Sequence, residues 1–489
     1  MAVVSHIRSL PQEIEEMILK TAARANQEDG VHFTYGLSRE LSSLSGTSIG
    51  VTRHIRGPLS DDAARWDASR SIRQVCSRWG VWAMRYNFEQ LREQCLQTRE
   101  RWADLPTCRS KYSVYEMIDN PKGVCVPRDP HRSLAKTAAL LNAFPNVASC
   151  VRRLRFTGFH TAEMDKRMLS MIASCRHLEL LAIPFTVLKQ ATPEEWIGLL
   201  NVGTDAAGPL HSLEINSANT SQCPGSREAI DAMDSLKDSR VTFKHLTRLK
   251  ISGYGSQKNI CDTGVLKISE TATNLQSLQL TGTPWVPAST VLTLAQASHK
   301  TIRLLQYRPQ VDSTLGSRSS VLDDQPHLYQ QVSALTELRD LDISLVSLCS
   351  SIFASDKAQW SGQCIIRFES FCPSTNSANI DRTKSMTKIL AVARCLMAER
   401  IRCGAELSIE LSWGARVFDV RAGTVRYESG RTAEEPAAYR LGETERDLWL
   451  RGSRFSDKEK LSRLTVTEDE FLKAMRYDDI TSQQSIKAT

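Results

Sequence analysis

The stretch Leu246-Thr247-Arg248-Leu249-Lys250-Ile251 is one copy of a short pattern that recurs through the middle of the chain. Each copy has leucine or isoleucine first, leucine fourth and a large apolar residue sixth. The copies start at Leu178, Leu210, Leu246, Leu275, Ile302 and Leu338, and an earlier, weaker one starts at Val151. The six starts are separated by 32, 36, 29, 27 and 36 residues. Spacing of this kind predicts a stack of similar units.

Each copy predicts a strand that turns alternate side chains toward a core. Helix-compatible segments lie between the copies, at 165–174, 194–200, 227–236, 289–298 and 328–335. Strand, turn and return helix in about 30 residues form the leucine-rich-repeat unit. No such unit can bury its own apolar face, so successive units must stack. The predicted fold is therefore α/β, an irregular leucine-rich-repeat solenoid with parallel strands inside and helices outside.

The alternation gives a residue-level expectation for the third and fourth copies. Leu249 and Ile251 should be buried with Lys250 on the open surface, and Leu278 and Leu280 should be buried with Gln279 exposed. The asparagine that follows the strand in regular repeats is mostly missing, so loops of uneven length are expected. Two such loops are predicted at 216–226 and 308–325.

After residue 350 the pattern weakens and other elements are expected. Residues 383–402 form a strong amphipathic pattern, Leu407, Ile409 and Leu411 alternate as a strand, and 416–427 indicate a hairpin turning at Gly423. These elements could close the open end of the solenoid, so 146–428 is taken as repeats plus a C-terminal cap. Residues 429–489 are interpreted as a polar linker, one short helix with a Thr467-x-x-Glu470 capping box, and a disordered tail.

The first hundred residues have a different, helical character. Leu10, Ile14 and Ile18 recur every four residues after the helix-starting Ser9-Leu10-Pro11, which predicts a short helix ending near Ala25. Glycine and serine then crowd residues 26–60, which predicts a loop insertion. Within it, residues 46–50 match a GxSxG hydrolase pattern, but no strand precedes the serine as that chemistry requires.

A second helical pattern follows from Asp61 through Val75, Trp79, Trp82 and Tyr86, and continues to Leu91. A single short helix cannot bury two tryptophans by itself, so the first helix or another protein must cover them. Residues 101–145 are taken as a connector between this N-terminal module and the repeats.

Leu10-Pro11-x-Glu13-Ile14-x-x-x-Ile18-Leu19, followed by Val75-Cys76-x-x-Trp79, resembles an F-box, in the version common in fungal proteins. The resemblance covers about a fifth of the chain and departs from the family in the insertion, which separates Leu19 from Val75 by 56 residues. A longer loop adds only on the order of 1 kcal/mol of closure entropy, so the insertion does not exclude the module. The F-box docks on the Skp adaptor of SCF-type ubiquitin ligases, and the resemblance implies an adaptor-binding surface of Leu10, Pro11, Ile14, Ile18, Val75 and Trp79.

The resemblance thus implies a substrate receptor. Its N-terminal helices would bind a Skp-type adaptor and, through it, a cullin, while the repeats would bind an unknown target protein for ubiquitination. Three alternatives remain open from the residues alone. The two helices could be a structural cap on the repeats. The protein could also be a leucine-rich-repeat scaffold or regulator with no ubiquitin ligase connection, or an enzyme whose site is not visible in the sequence.

Motifs and composition exclude several other classes of protein. The chain lacks a phosphate loop, an HExxH motif and a dinucleotide-binding glycine fingerprint, so a non-enzyme without cofactors is expected. The net charge of +7 comes from 62 basic and 55 acidic residues that are mostly interleaved, which argues against nucleic acid as a partner. No apolar stretch is long enough to span a membrane, and the 13 cysteines form no CxxC pair, which predicts no metal site and a cytoplasmic or nuclear location.

Overall fold

A computed structural model of the chain is mixed α/β, with a large sheet of mostly parallel strands. The structure describes residues 11–35, 69–94, 115–117, 125–127, 132–157, 162–187, 191–200, 210–216, 234–253, 262–283, 286–309, 328–354, 360–372, 382–414, 416–427 and 465–473. Two compact units are present. One contains residues 1–158, 170–177 and 437–456, and the other contains 159–169, 178–436 and 457–489.

In the second unit the strands lie side by side in chain order. Strands β5 to β12 run parallel, each hydrogen-bonded to the next. Their bounds are β5 Leu180–Pro184, β6 Ser212–Asn216, β7 Arg248–Ser252, β8 Ser277–Thr281, β9 Leu304–Arg308, β10 Asp340–Leu348, β11 Gln363–Phe371 and β12 Ser408–Trp413. Parallel neighbours joined by intervening helical segments are consistent with a leucine-rich-repeat-like solenoid.

The six predicted strands are confirmed, and their registers align. The fourth residues of the repeated pattern pair across neighbouring strands: Leu181, Leu213, Leu249, Leu278, Leu305 and Leu341. All six are buried, as are Ile251 and Leu280 two residues further on. A one-residue slip would turn every one of these side chains outward, so the apolar pattern fixes the register.

The residues between these core positions were predicted less well. Gln279 was expected to be exposed, and both it and Lys250 are only partly exposed. Lys250 reaches across to Glu214 on the neighbouring strand and pairs with its carboxylate. Further along, Gln306 and Asp342 are buried on the same face. We call the face of the sheet that carries Lys250, Gln279, Gln306 and Asp342, opposite the buried leucines, the outer face. Its side chains are partly buried because long polar side chains on adjacent strands cover one another.

Four of the predicted helices are present, and one helix was missed. Helices α6 Ala162–Ser174, α7 Pro193–Leu200, α9 Ala288–Ala297 and α10 Tyr329–Ser333 match predicted segments, while α8 Asp262–Ser269 was not predicted. Of the segment predicted at 227–236, only the start of a 3₁₀ turn at Asp234–Lys237 is described. Most of the two predicted loops, at 216–226 and 308–325, lies outside the described residues. Strand β11 was also missed, although Cys364, Ile366 and Phe368 alternate within it and are buried.

The sheet ends in an antiparallel segment. Helix α11 Arg382–Arg402 precedes β12, and β13 Arg416–Asp419 and β14 Thr424–Tyr427 form the predicted hairpin. The hairpin turns at Gly423, whose φ of 63° favours glycine. Strand β15 Thr465–Thr467, which was not predicted, pairs with β14 and leads into the expected capping box between Thr467 and Glu470.

The first unit contains helices and one parallel strand pair. Its elements are α1 Gln12–Tyr35, α2 Arg70–Arg73, α3 Ser77–Glu89, β1 Gln90–Gln94, the β2 Tyr115–Met117 and β3 Cys125–Pro127 hairpin, α4 Arg132–Ala143, α5 Pro145–Ala148 and β4 Arg153–Thr157. Strand β4 is the weak early copy of the repeated pattern, and it pairs in parallel with β1.

Three predictions in this unit need correction. Helix α1 continues to Tyr35 rather than ending near Ala25, because one glycine at position 30 costs a helix only about 1 kcal/mol and does not end it. The second helical pattern is divided where Cys76 adopts an extended conformation, and Leu91 lies in β1 rather than in a helix. The remaining insertion, 36–60, including the GxSxG match, lies outside the described residues, and the segment taken as a connector contains α4.

Candidate functional site

Helix α1 has two different apolar faces. Leu19 and Ala23, four residues apart, are buried, and Glu15 precedes them on the same side. Ile14, Met17 and Ile18 lie about 100° or more around the helix from that side, as the 3.6-residue period requires, and they are exposed. The sequence pattern identified Ile14 and Ile18 as an apolar face, but the residues that pack within this chain are the ones beside them.

The buried face of α1 packs against α2 and α3. Leu19, Ala23, Ile72 and Ala83 form a small core, and partly buried aromatic rings surround it: Trp79, Trp82 and Tyr86. The rings of Trp82 and Tyr86 stack with their centres 5.0 Å apart. Burial raises the pKa of the Tyr86 phenol, partly opposed by the charge of Arg24. The two tryptophans are thus covered by α1, which was one of the two possibilities drawn from the sequence.

A polar contact fixes α3 against α1 inside this core. The indole Nε1 of Trp79 donates a hydrogen bond to a carboxylate oxygen of Glu15, and Arg78 forms an ion pair with the same carboxylate. Glu15 is 5% exposed, so its charge is largely removed from water. A buried carboxylate is costly unless it is paired, and these two partners compensate for it.

Among the residues that the structure describes in this unit, α1 carries three exposed apolar side chains on one face. Ile14, Met17 and Ile18 are 40%, 58% and 47% exposed. Val75, in the turn between α2 and α3, is 60% exposed, and Val81 on α3 is 49% exposed. Glu13, next to Met17 around the helix, is also exposed, whereas Glu16 is only partly exposed. We call Ile14, Met17 and Ile18 the α1 apolar face.

The predicted adaptor-binding residues therefore divide into two groups. Ile14, Ile18 and Val75 are exposed, and Pro11 is exposed at the start of α1, where its carbonyl accepts hydrogen bonds from the amides of Ile14 and Glu15. Trp79 instead contacts the Glu15 side of α1, away from the α1 apolar face. Leu10 lies outside the described residues. Met17 was not selected from the sequence, although its three-residue spacing from Ile14 places it on the same face.

A cleft of about 420 Å³ runs along the α1–α3 contact. Its lining combines aromatic rings with charges of both signs, among them Glu16, Lys20, Arg85 and Glu89. Among the residues that the structure describes, no group of three or more histidine, cysteine, aspartate or glutamate side chains could hold a metal ion. Within the same ranges no helix is both long and apolar enough to cross a bilayer.

Comparison with known proteins adds little to this geometry. No protein-family model matches the chain, and no curated protein matches it. Among solved structures, a chain of the crystal structure of the Rad7 and Elc1 complex in yeast overlays with 13% sequence identity and a TM-score of 0.27. The overlay covers 50% of this chain and 63% of that chain, which is less than two thirds of its length. A TM-score this low supports no inference about this chain's function.

Proposed function

We propose that this protein is an F-box-type substrate receptor. Its N-terminal helices dock on a Skp-type adaptor, which joins it to a cullin, and its leucine-rich-repeat-like sheet binds a target protein for ubiquitination. The proposal has two supports. The first is the resemblance of the Leu10-Pro11 and Val75-Cys76-x-x-Trp79 segments to an F-box, and the second is the exposure of the α1 apolar face.

The exposed face carries the proposal. Ile14, Met17 and Ile18 are each about half exposed, while Leu19, the next residue in the chain, is 3% exposed. Full burial of such a side chain is worth about 1.5–3 kcal/mol, so covering the half that remains exposed contributes roughly 1 kcal/mol for each residue. Three such residues on one helical stripe favour a helix or groove of another protein as the partner.

Charge supports a protein partner over nucleic acid. Glu13 is exposed next to Met17 on α1, so a phosphate backbone would meet repulsion there. Glu13 also lies in the first turn of α1, where its charge is favourable for the helix dipole.

Trp79 has a different role in this proposal from the one implied by the resemblance. Its indole packs inside the helical pair and holds Glu15, so it positions α3 against α1 rather than meeting the adaptor directly. A Trp79→Ala variant would therefore lose stability as well as any binding, and it cannot test the adaptor surface by itself.

The exposed isoleucines give a cleaner test. The full chain, its Ile14→Asp/Ile18→Asp variant and a Lys20→Asp control are each mixed with a purified Skp adaptor, and binding is measured by calorimetry. Lys20 is exposed on another side of the same helix, so it controls for a new acid on α1. Losing roughly 2 kcal/mol of apolar burial corresponds to at least about a tenfold weaker affinity for the double variant. The control should bind as the wild type does.

Two outcomes would overturn the proposal. One is an unchanged affinity of the double variant, with its helical circular dichroism intact. The other is the absence of both a Skp adaptor and a cullin from material co-purified with the wild-type chain. That result would leave a leucine-rich-repeat scaffold as the better description.

A further inference from the structure

We infer that the outer face of the sheet, at β9 to β11, binds an acidic side chain within an extended segment of the target protein. This inference deepens the proposed function, because it assigns a chemical class to the target. It rests on the proposed function in one respect, namely that the bound segment belongs to a protein to be ubiquitinated. The observation behind it is a cluster in which two arginines share one carboxylate.

Asp342 is the centre of the cluster. It is buried, and one of its carboxylate oxygens accepts hydrogen bonds from Gln306 Nε2, at 3.1 Å, and from Arg308 Nε, at 2.8 Å. Arg308 Nη2 contacts the same oxygen, and Arg367 Nη1 contacts the other one. The three partners come from β9 and β11, on either side of β10, so neighbouring strands hold this carboxylate in place.

Among the described residues, the ion pairs of this cluster leave an excess of positive charge. Arg308 and Arg367 bring two cations to the single anion of Asp342. By contrast, Lys250 on the same face is matched one to one by Glu214. The arginine side chains are 18% and 31% exposed, so their charge is partly shielded from water yet still reachable. A partly desolvated guanidinium interacts more strongly with an incoming anion than a fully solvated one does.

Donor groups remain available on both arginines. Against the described residues, Arg308 uses Nε and Nη2, and Arg367 uses Nη1. A guanidinium has five N–H donors in a planar fork, so Nη1 of Arg308 and the Nη2 and Nε of Arg367 can still donate. That arrangement suits a carboxylate, which accepts through two oxygens.

The two arginines lie in a row of hydrogen-bonding residues that crosses the outer face. The register of β9 with β10 pairs Tyr307 with Ile343, so Arg308 and Ser344 are the next positions on the two strands. From β6 to β12, the row consists of Asn216, Ser252, Thr281, Arg308, Ser344, Arg367 and Ser412. No member is a carboxylate, and every member can donate a hydrogen bond. Six strand spacings of about 4.8 Å make the row about 29 Å long, which is the length of about nine extended residues.

A protein segment fits this surface better than RNA does. The neighbouring row on the same face contains Glu214, Asp342 and Glu410, and only one position in it, Lys250, is basic. A polynucleotide places a charge at every residue and would meet these acids, whereas a peptide needs only one acidic side chain opposite Arg308 and Arg367.

The test uses a displayed library of random nine-residue peptides, selected on the wild-type full chain and on an Arg308→Gln/Arg367→Gln variant. Lys250→Gln is the matched control, because it removes a balanced cation from the same face. Selection on the wild type and on the control should enrich Asp or Glu at one position. A charge-assisted hydrogen bond is worth about 1.5–3 kcal/mol, so a selected peptide should bind at least about tenfold more weakly when that acid becomes Asn or Gln.

The change in the peptide leaves the protein untouched, so the result stands even if the double arginine variant is poorly folded. Arg367→Lys adds a second check, since it keeps the charge but loses the fork and should weaken binding less than Arg367→Gln. The inference would be overturned if the wild type and the double arginine variant selected the same peptides with no acidic position enriched. It would also be overturned if single-stranded RNA of 20 nucleotides bound more tightly than the selected peptides. The Ile14→Asp/Ile18→Asp variant, tested in parallel, should still select acidic peptides. Failure of adaptor binding and failure of this inference are therefore distinguishable.

Discussion

The repeat sheet and the N-terminal helical pair both place apolar residues at regular intervals, but they use them differently. In the sheet, the aligned leucines of neighbouring strands are buried against this chain's own core. In α1, Ile14 and Ile18, which are four residues apart, are exposed, and Leu19, next to Ile18 in the chain, is buried instead. Among the described residues, the same kind of pattern thus marks a core in one unit and an exposed surface in the other.

The difference shows that apolar periodicity identifies a face but not what covers that face. A strand in a parallel sheet is paired along both edges, so its apolar face is buried against the core of the same chain. A two-helix packing needs only one stripe of each helix, so a second apolar stripe can stay exposed. Pairs of substitutions at adjacent positions, one buried and one exposed, test this distinction.

The largest effect is expected in the sheet. Leu249→Ala should lower the free energy of unfolding by about 2–5 kcal/mol, since it leaves a cavity in a closely packed row. Lys250→Ala, at the next position on the outer face, should change it by only about 0.5 kcal/mol. Urea denaturation of both variants measures this contrast. Equal losses would mean that the two faces of β7 are not distinguished by packing.

In the helical pair the same contrast should appear with a smaller size. Leu19→Ala should cost about 2 kcal/mol, at the low end for leucine truncation, because only a small core surrounds it. Ile18→Ala should cost no more than about 0.5 kcal/mol, because its side chain is half exposed. Thermal melts followed by circular dichroism provide the measurement. A large loss from Ile18→Ala would show that the α1 apolar face is covered by this chain.

A buried acid in the second unit provides a pH-dependent test. One carboxylate oxygen of Asp165 accepts a hydrogen bond from the Thr186 hydroxyl at 2.7 Å, and the other has no hydrogen-bond partner among the described residues. Burial raises the pKa of Asp165 to about 6, with the Thr186 hydrogen bond acting in the opposite direction. The neutral form is therefore favoured by folding, and the folded protein loses stability as pH rises through that value.

Asp165→Asn should consequently stabilise the protein by about 1–2 kcal/mol near pH 7.5, because the amide carries no charge to desolvate and still accepts from Thr186. The gain should shrink as pH falls through about 6 and vanish below about pH 4, where aspartate is protonated in both states. Urea denaturation at a series of pH values follows this trend. A gain that does not change with pH would rule out the charge of Asp165 as its cause.

The smallest effect is expected at the end of the sheet. Thr467→Ala removes one half of the capping box, in which the Glu470 amide donates to the Thr467 hydroxyl at 3.3 Å. Loss of such a cap typically costs about 1 kcal/mol. A Thr467→Ser variant keeps the hydroxyl and should lose less, so a comparison of the two by thermal denaturation separates the cap from side-chain packing in β15.

Sequence predicted the sheet well because its signal is repeated. One six-residue pattern gave the strands, their alternation and, through Leu249 and Leu278, the residues that share a register. It missed β11 because Cys364 replaces the leucine there, and it missed β15 because a three-residue strand has too few positions to show alternation. The pattern could not predict that Gln306 and Asp342 are buried, because their burial comes from contacts between strands that are far apart in the chain.

The helical pair was predicted only in part, for a related reason. The four-residue spacing located α1 and indicated an apolar face, but the choice between Ile18 and Leu19 as the packed residue depends on where α3 lies. The pairing of Glu15 with Trp79 joins residues 64 positions apart, and no local pattern in either helix indicates it. The exposed face thus became visible only when the internal packing was known.

The position of β15 has a consequence for the order in which the sheet is completed. It pairs with β14 through Val425 and Val466, residues that are widely separated in the chain, whereas β13 and β14 join across a tight turn. During synthesis, β14 must therefore wait with an open edge until the later segment emerges from the ribosome. An unpaired strand edge can pair with other chains, whereas the three-residue strand β15, once in place, leaves only a short edge exposed. A nascent chain halted after Tyr427 would consequently be more prone to aggregate than one released after residue 473.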